Sequence, residues 1–464
     1  MRMTQLLDHL PAPGEVVEFT LGATLAPRPH EVPASLFQQG HLGLARANRQ
    51  AGRTQSPWVA LSFELPGRAD PGALAEAWLG LARRHEAYRS WYAHEEDGTL
   101  RGHLLPAEGI EVRVEKAGEF TDPRALQQHL HRRIDEVTGA PGPGLLAGAV
   151  LRPHSSTVWC AIDHAYTDGH SMALVFEEIR ERYAAALRGE EPALPEAPGY
   201  LALNRAEAAY AAGLTPDSPE LDTWREFFAT ADGGFPAFPG DLGHDSDELL
   251  PGTRLSLPVF TGTEARAFRA HCARNGGGFA AGMFAALALV QRELADEDAY
   301  RVLTAVSTRS SPRDLRIHGW LVNLVPLAFT LPGTPGLDAA VPVAQQAFQR
   351  ARSRYDVPLH RAVELLAPAG QQLRIPPMAS YLDGRSAPGA ADYLDREVRM
   401  LTGPDNASGV SIWFNWFRDR AELVVSMPDT PQAAVSVPAV LERAVAVLRS
   451  AIGAGPLPPT ADPA

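Results

Sequence analysis

The segment from Thr157 to Ser171, TVWCAIDHAYTDGHS, holds the side chains best suited to chemistry. His164 and Asp168 stand four residues apart, and Gly169 follows, where the backbone is free of a Cβ. A neutral imidazole held in one orientation can take the proton of a hydroxyl within hydrogen-bond reach. In a chain with 15 histidines such a spacing arises about once by chance, so its meaning comes from its surroundings. Two roles stay open for His164, a general base or a hydrogen-bonded residue at a strand end. Asp168 has three: to orient the imidazole, to cap a helix, or to pair with a buried arginine.

The elements around these residues must aim them. Val158 to Ile162 is apolar on both faces and reads as a strand buried on both sides. Alternation carried on to His164 turns it the same way as Val158, Cys160 and Ile162 and sends Asp163 to the opposite face, so Asp163 is not expected to orient the imidazole. After the turn, Met172, Val175, Phe176, Ile179, Tyr183, Ala186 and Leu187 mark one helical face that ends at Gly189.

Upstream, the chain predicts a Pro-rich lead-in, a helix within Pro33 to Gln50 and a strand over Trp58 to Phe63. Asp70-Pro71 opens a helix with Leu74, Trp78, Leu81 and Ala82 on one face. Strands follow over Thr99 to Leu105 and Ile110 to Glu115, a helix from Asp122-Pro123, and a strand over Leu145 to Leu151. EEPALPEAPGY reads as a linker, giving an N-terminal lobe over 1–190, a C-terminal lobe over 191–452 and a tail, 453–464, too poor in apolar surface to order itself. In the second lobe the pattern predicts a helix over Leu221 to Phe228 and a strand over Thr253 to Phe260. A helix pair from Thr263 to Leu294, broken at Asn275 to Gly278, leads to a strand over Arg301 to Val306. A polar loop, Ser307 to Arg316, the segment GWLVNLVPL from Gly319 and a late hairpin, Val410 to Phe417 with Glu422 to Met427, complete it.

With 464 residues, two lobes or two core-sharing halves are expected. Asp and Glu outnumber Lys and Arg 55 to 42, and no basic cluster tracks a phosphate backbone, so nucleic acid is not an expected partner. Two cysteines, Cys160 and Cys272, give neither a disulfide framework nor a zinc spacing; no metal is expected, and a reducing cytoplasm fits. The longest apolar run, Phe279 to Val290, is too short to span a bilayer, so a soluble, unexported protein is expected; a monomer is the expected state. A lipid substrate would require peripheral contact with a membrane, for which no basic amphipathic helix argues.

IDHAYTDG resembles the His-His-x-x-x-Asp-Gly signature of the chloramphenicol-acetyltransferase-like superfamily, which includes nonribosomal-peptide condensation domains and the polyketide-associated (Pap) acyltransferases, with Asp163 in place of the first histidine. In the same order, PASLFQQGHL resembles the opening motif, ARRHEAYRSWY (Ala82 to Tyr92) the Arg-His-Glu segment, and GWLVNLVPL the Gly-Phe-Val-Asn-x-x-Pro-Leu segment. QQGHL, HEAYRSWY, IDHAYTDG, PPMASYLD (Pro376 to Asp383) and IWFNWF with SMPDTP are more similar to the actinobacterial Pap acyltransferases that decorate trehalose glycolipids.

The resemblance implies an α/β fold of two-layer α+β sandwiches, a two-lobed pseudo-dimer with a tunnel between lobes. It implies an O-acyltransferase without a bound cofactor, in which His164 deprotonates a hydroxyl of a sugar, glycolipid or polyketide. The hydroxyl then attacks an acyl thioester of coenzyme A or of a phosphopantetheine carrier protein, with no acyl-enzyme. Asp168 and Gly169 would frame the turn. Arg309 stands where the family's pairing arginine is expected, with Arg313 and Arg316 as rivals. Backbone N–H groups near Gly169, or Ser411 and Asn415, would meet the oxyanion or the acceptor; Asn415 also reads as a strand-end polar residue bonded to backbone, and Asn323 as a structural residue of its segment. Asp163 argues against ordinary peptide formation. The competing expectations are an amide-forming condensation enzyme with a carrier-bound donor, and a non-catalytic condensation-like scaffold.

Overall fold

The strand that leads to His164 is central because its neighbours bury both of its faces. The computed structural model describes residues 1–53, 55–138, 142–229, 235–244, 249–333, 336–367 and 378–455. Ser155–Asp163 pairs antiparallel with Trp58–Pro66 on one side and Leu145–Leu151 on the other. Seven strands form this sheet, in the order Arg2–Gln5, Arg399–Thr402, Trp58–Pro66, Ser155–Asp163, Leu145–Leu151, Glu15–Ala23 and Ile110–Glu119. On one face the helix Pro123–Thr138 sets Leu126, Leu130 and Ile134 against Trp58, Ala60, Leu146, Val150, Trp159 and Ala161. Residue parity turns Phe63 to the other face, where it meets Phe176 of the helix Gly169–Arg188 edge to face at 5.1 Å. Two covered faces explain the unbroken apolar run.

These strands and helices belong to one compact unit, Met1–Ala212 with Arg309–Leu321 and Ser386–Pro404. A second unit holds Gly213–Thr308, Val322–Arg385 and the chain from Asp405 onward. Among the described residues its sheet also has seven strands, in the order Val322–Thr330, Ala299–Ser307, Met378–Asp383, Ser411–Trp416, Arg420–Pro428, Leu250–Thr261 and Asn406–Ala407. Helices Gly262–Arg274, Phe279–Ala295, Leu337–Arg352 and Ala433–Ser450 share its apolar core. Among the described residues no single helix is long and apolar enough to cross a membrane; the pair Gly262–Arg274 and Phe279–Ala295 is bent by 83° and built into that core.

Local signals place most elements. Ser35 and Gln38 close a capping box on the helix Leu36–Gln50. Asp70 caps Pro71–Arg84, and Gly189, at φ 66°, ends Gly169–Arg188. The division of the chain differs from the expected one. The segment read as a linker ends at Tyr200, where the helix Tyr200–Gly213 begins, and two later stretches join the first unit, so the lobes are not the continuous spans 1–190 and 191–452. The lead-in read as Pro-rich contains the strand Glu15–Ala23, paired with both Leu145–Leu151 and Ile110–Glu119. Of the tail at 453–464, residues 456–464 lie outside the described residues, as do Pro376 and Pro377 of PPMASYLD.

Candidate active site

The strand ends one residue earlier than alternation requires. Asp163 is its last residue, and His164–Tyr166 forms a single 3-10 turn, so the extrapolated side for His164 does not apply. The Asp163 carboxylate accepts from Ala165 N at 2.8 Å and so caps this turn. The His164 backbone N–H donates to Pro57 O at 2.7 Å, fixing the turn to the start of the neighbouring strand. The ring is half-buried, with Nδ1 shielded from solvent. Trp320 lies against it at 4.3 Å between ring centres. Burial, and after it the neighbouring His41, hold the imidazole below the ordinary histidine value, which leaves it neutral at neutral pH.

Asp168 takes two of its three open roles and does not orient the imidazole. It caps the helix Gly169–Arg188 by accepting from Ser171 N at 2.7 Å. It also accepts from Arg309 through both guanidinium nitrogens, at 2.7 and 3.2 Å, and from Leu321 N at 3.0 Å. Burial pushes this carboxyl up, but the charge and hydrogen bonds of Arg309 and the two backbone N–H groups outweigh it and hold the group at about 2. Arg309 is anchored in turn by Ile317 O and Ser171 Oγ. The rivals go elsewhere, Arg313 to Glu196 and Arg316 to Glu177. Ser171 Oγ also donates to Gly319 O and accepts from Gly319 N. Gly319 has φ 149°, and a Cβ there would lie 2.3 Å from the Tyr200 ring. Only glycine fits both demands.

Gly169 corrects an expectation. It is the first residue of the helix, its φ is not in the left-handed region, and a Cβ would meet only Met400 Cε, at 3.8 Å. The turn does not need its conformational freedom.

The opening motif, PASLFQQGHL, has a role that its resemblance alone does not assign: one face of the helix Leu36–Gln50 grips the turn. Gln38 Nε2 donates to Ala165 O at 2.7 Å, while Gln38 Oε1 accepts from Ser35 N and Asn204. One turn on, His41 Nε2 stands 3.3 Å from Asp163 Oδ1. The His41 ring meets Trp320 edge-on at 5.4 Å and His164 at 6.0 Å, and Phe37 packs on Trp320 at 5.6 Å. The spacing Phe37, Gln38, His41 was the available signal, since residues three and four apart share a helix face.

Ser411 and Asn415 lie on the strand Ser411–Trp416 of the second unit, Asn415 fully buried and opposite Glu422 in the ladder. Asn323 is bonded to backbone throughout, to Val357 O, Tyr355 O and Leu359 N. Among the described residues, one set of potential metal ligands comes together, His85, Glu178 and His318, with ligand atoms within 4.8 Å of one another. Hydrogen bonds already account for it. Glu178 accepts from His85 Nε2 at 2.9 Å and from Arg182 at 2.7 Å, and the Tyr88 hydroxyl meets His318 Nδ1 at 2.6 Å. With Arg182 on the carboxylate and Arg84 beside it, a dication is disfavoured.

Comparison with known proteins adds an independent line. The chain matches the condensation domain family over residues 29–382. It is 30% identical to the trehalose-2-sulfate acyltransferase PapA2 of Mycobacterium tuberculosis, over 94% of each chain. It is 27% identical to the 2'-acyl-2-O-sulfo-trehalose (hydroxy)phthioceranyltransferase PapA1 of the same organism, over 95% of this chain and 87% of that one. A solved PapA2 acyl transferase superposes with a TM-score of 0.90 at 28% identity, covering 98% of this chain and 100% of that one. The condensation domain of the polyketide synthase MokA superposes with a TM-score of 0.70 at 16% identity, over 93% and 98%, a likeness of fold alone.

Proposed function

We propose, for a chain that belongs to the condensation domain family and to its Pap acyltransferases, that it moves an acyl group from a thioester to a hydroxyl of a sugar glycolipid acceptor. It is an acyltransferase. The names of its relatives point to trehalose 2-sulfate, or its monoacylated form, as the acceptor class.

The observation that carries the reading is the turn itself. His164 sits half-buried at a strand end, neutral at neutral pH, on a turn fixed by Pro57, Gln38 and the cap from Asp163. His164 takes the proton of the acceptor hydroxyl through Nε2, and the oxygen attacks the thioester carbonyl carbon. As the new C–O ester bond forms, the C–S bond breaks, and the thiolate of coenzyme A or of a carrier-protein phosphopantetheine receives the proton from the imidazolium. Backbone N–H groups near Gly169 are the donors for the developing oxyanion. Asp168 and Arg309 keep that helix end and the turn in register.

The test is acyl transfer by purified protein from short and long acyl-CoAs to trehalose 2-sulfate, read by mass spectrometry. His164→Ala is expected to lower kcat/KM by ~10²–10⁴-fold. Near wild-type transfer by that variant refutes the assignment, and faster transfer to an amine analogue of the acceptor refutes the ester reading.

A further inference from the structure

Asp163 replaces the first histidine of the family signature, yet the turn still has a second imidazole beside it, supplied from elsewhere in the chain. His41 reaches Asp163 at 3.3 Å from the helix Leu36–Gln50, and both side chains are about nine-tenths buried. The same ring packs edge-on against Trp320 at 5.4 Å, and Trp320 lies on the His164 ring at 4.3 Å. His41 Nε2, buried and not hydrogen-bonded, therefore faces a carboxylate oxygen at ion-pair range on one side, the oxygen that also caps the turn through Ala165 N, and the ring packs on the residue that backs the base on the other. Gln38, on the same helix face, ties the helix to the turn through Ala165 O.

We propose that Asp163 and His41 form a carboxylate–imidazole dyad that positions Trp320 against His164 and sets the charge beside the base. The inference rests on reading His164 as the base; His41 and Asp163 are positioning residues that act through it. The titratable groups that face His164 are His41 from the first helix, Asp163 from the strand and Asp168 from the following helix cap; Trp320 brings no charge. Of these, His41 opposes protonation of His164, and Asp163 favours it. The two members of the dyad therefore push His164 in opposite directions, which a purely structural pair would not do.

The experiment titrates histidine-labelled full-length protein by ¹³C NMR, with His164→Gln to assign the His164 signal. His41→Phe keeps a ring against Trp320 and removes the imidazole; its His164 midpoint is expected to rise. Asp163→Asn keeps an oxygen for Ala165 N and removes the charge; its midpoint is expected to fall. In acyl transfer, the acid limb of kcat/KM should follow the midpoint in each variant. An unmoved midpoint in His41→Phe, or shifts of the same sign in both variants, overturns the dyad. Should Asp163→Asn lose the fold, His41→Phe and His41→Gln decide: upward shifts in both support the dyad, and no shift overturns it. Wild-type protein without acyl transfer would defeat the functional reading, while the NMR midpoints would still judge the dyad.

Discussion

Removing Arg309 should damage the protein through Asp168, and the damage should depend on pH. The Asp168 carboxylate is 2% exposed and accepts four hydrogen bonds, two from Arg309 and one each from Ser171 N and Leu321 N. Arg309→Met leaves that charge buried with two backbone donors and no cation. Breaking a buried pair in this way costs ~3–5 kcal/mol. The native pair also carries a linkage contribution. Asp168 is held at about 2 against an ordinary 3.8, which corresponds to roughly 2–3 kcal/mol of stability. Because the folded value is depressed, this stability is fully present above about pH 4 and is lost as pH falls through about 2. In Arg309→Met the sign reverses. Without the guanidinium, burial raises the carboxyl, so the variant should regain part of its deficit as pH falls from 7 towards 5. The assay is thermal and urea unfolding of the wild type, Arg309→Met, Asp168→Asn and the double variant between pH 5 and 8. The double variant should be more stable than Arg309→Met, because no buried charge is stranded. A loss below ~1 kcal/mol, a deficit that does not shrink at acid pH, or a double variant no better than Arg309→Met would refute the account.

Two further outcomes follow from the same geometry. The pH profile of kcat/KM should show an acid limb with its midpoint below 6.5, since burial lowers the His164 imidazole and activity is lost once it is protonated; a wild-type limb at or above 6.5 contradicts this assignment. Gly169→Ala should change stability by less than ~1 kcal/mol, its Cβ meeting only Met400 Cε, whereas Gly319→Ala should cost at least ~2 kcal/mol against the Tyr200 ring and the φ of 149°; equal melting temperatures for the two variants would show that the glycine analysis is wrong.

How much of this was legible in the chain follows the range of each signal. Asp70-Pro71, the apolar face of 71–84 and the run Val158 to Ile162 carry their meaning within a dozen residues, and the elements formed where they were read. Glu15–Ala23 was missed because its pairing partners lie about a hundred residues downstream, and the proline-flanked sequence hid its alternation. Arg2–Gln5 pairs with Arg399–Thr402, a contact that no local pattern encodes. At the site, His164, Asp168 and Arg309 were legible because the family signature fixes their order. His41 was not, since its partner Asp163 comes from a segment some 120 residues on. Extending strand alternation to His164 failed because Asp163 caps a 3-10 turn, and side-chain capping is invisible to periodicity.

The two excursions that complete the first unit also set a timetable for the ribosome. Residues 1–212 emerge without Arg309, so the Asp168 carboxylate has no cation to pair with, and without Arg399–Thr402, so Trp58–Pro66 is left as a raw sheet edge. At ordinary elongation speeds, the ~190 residues between Ala212 and Pro404 take roughly 10–40 s to appear. During that interval the nascent half-protein has an unfinished sheet and an unpaired buried charge, the state in which a chaperone would find it. A fragment cut at the apparent linker would stay in that state permanently, and the turn that carries His164 gains its Asp168–Arg309 pair and Trp320 only once residues 309–321 have been made.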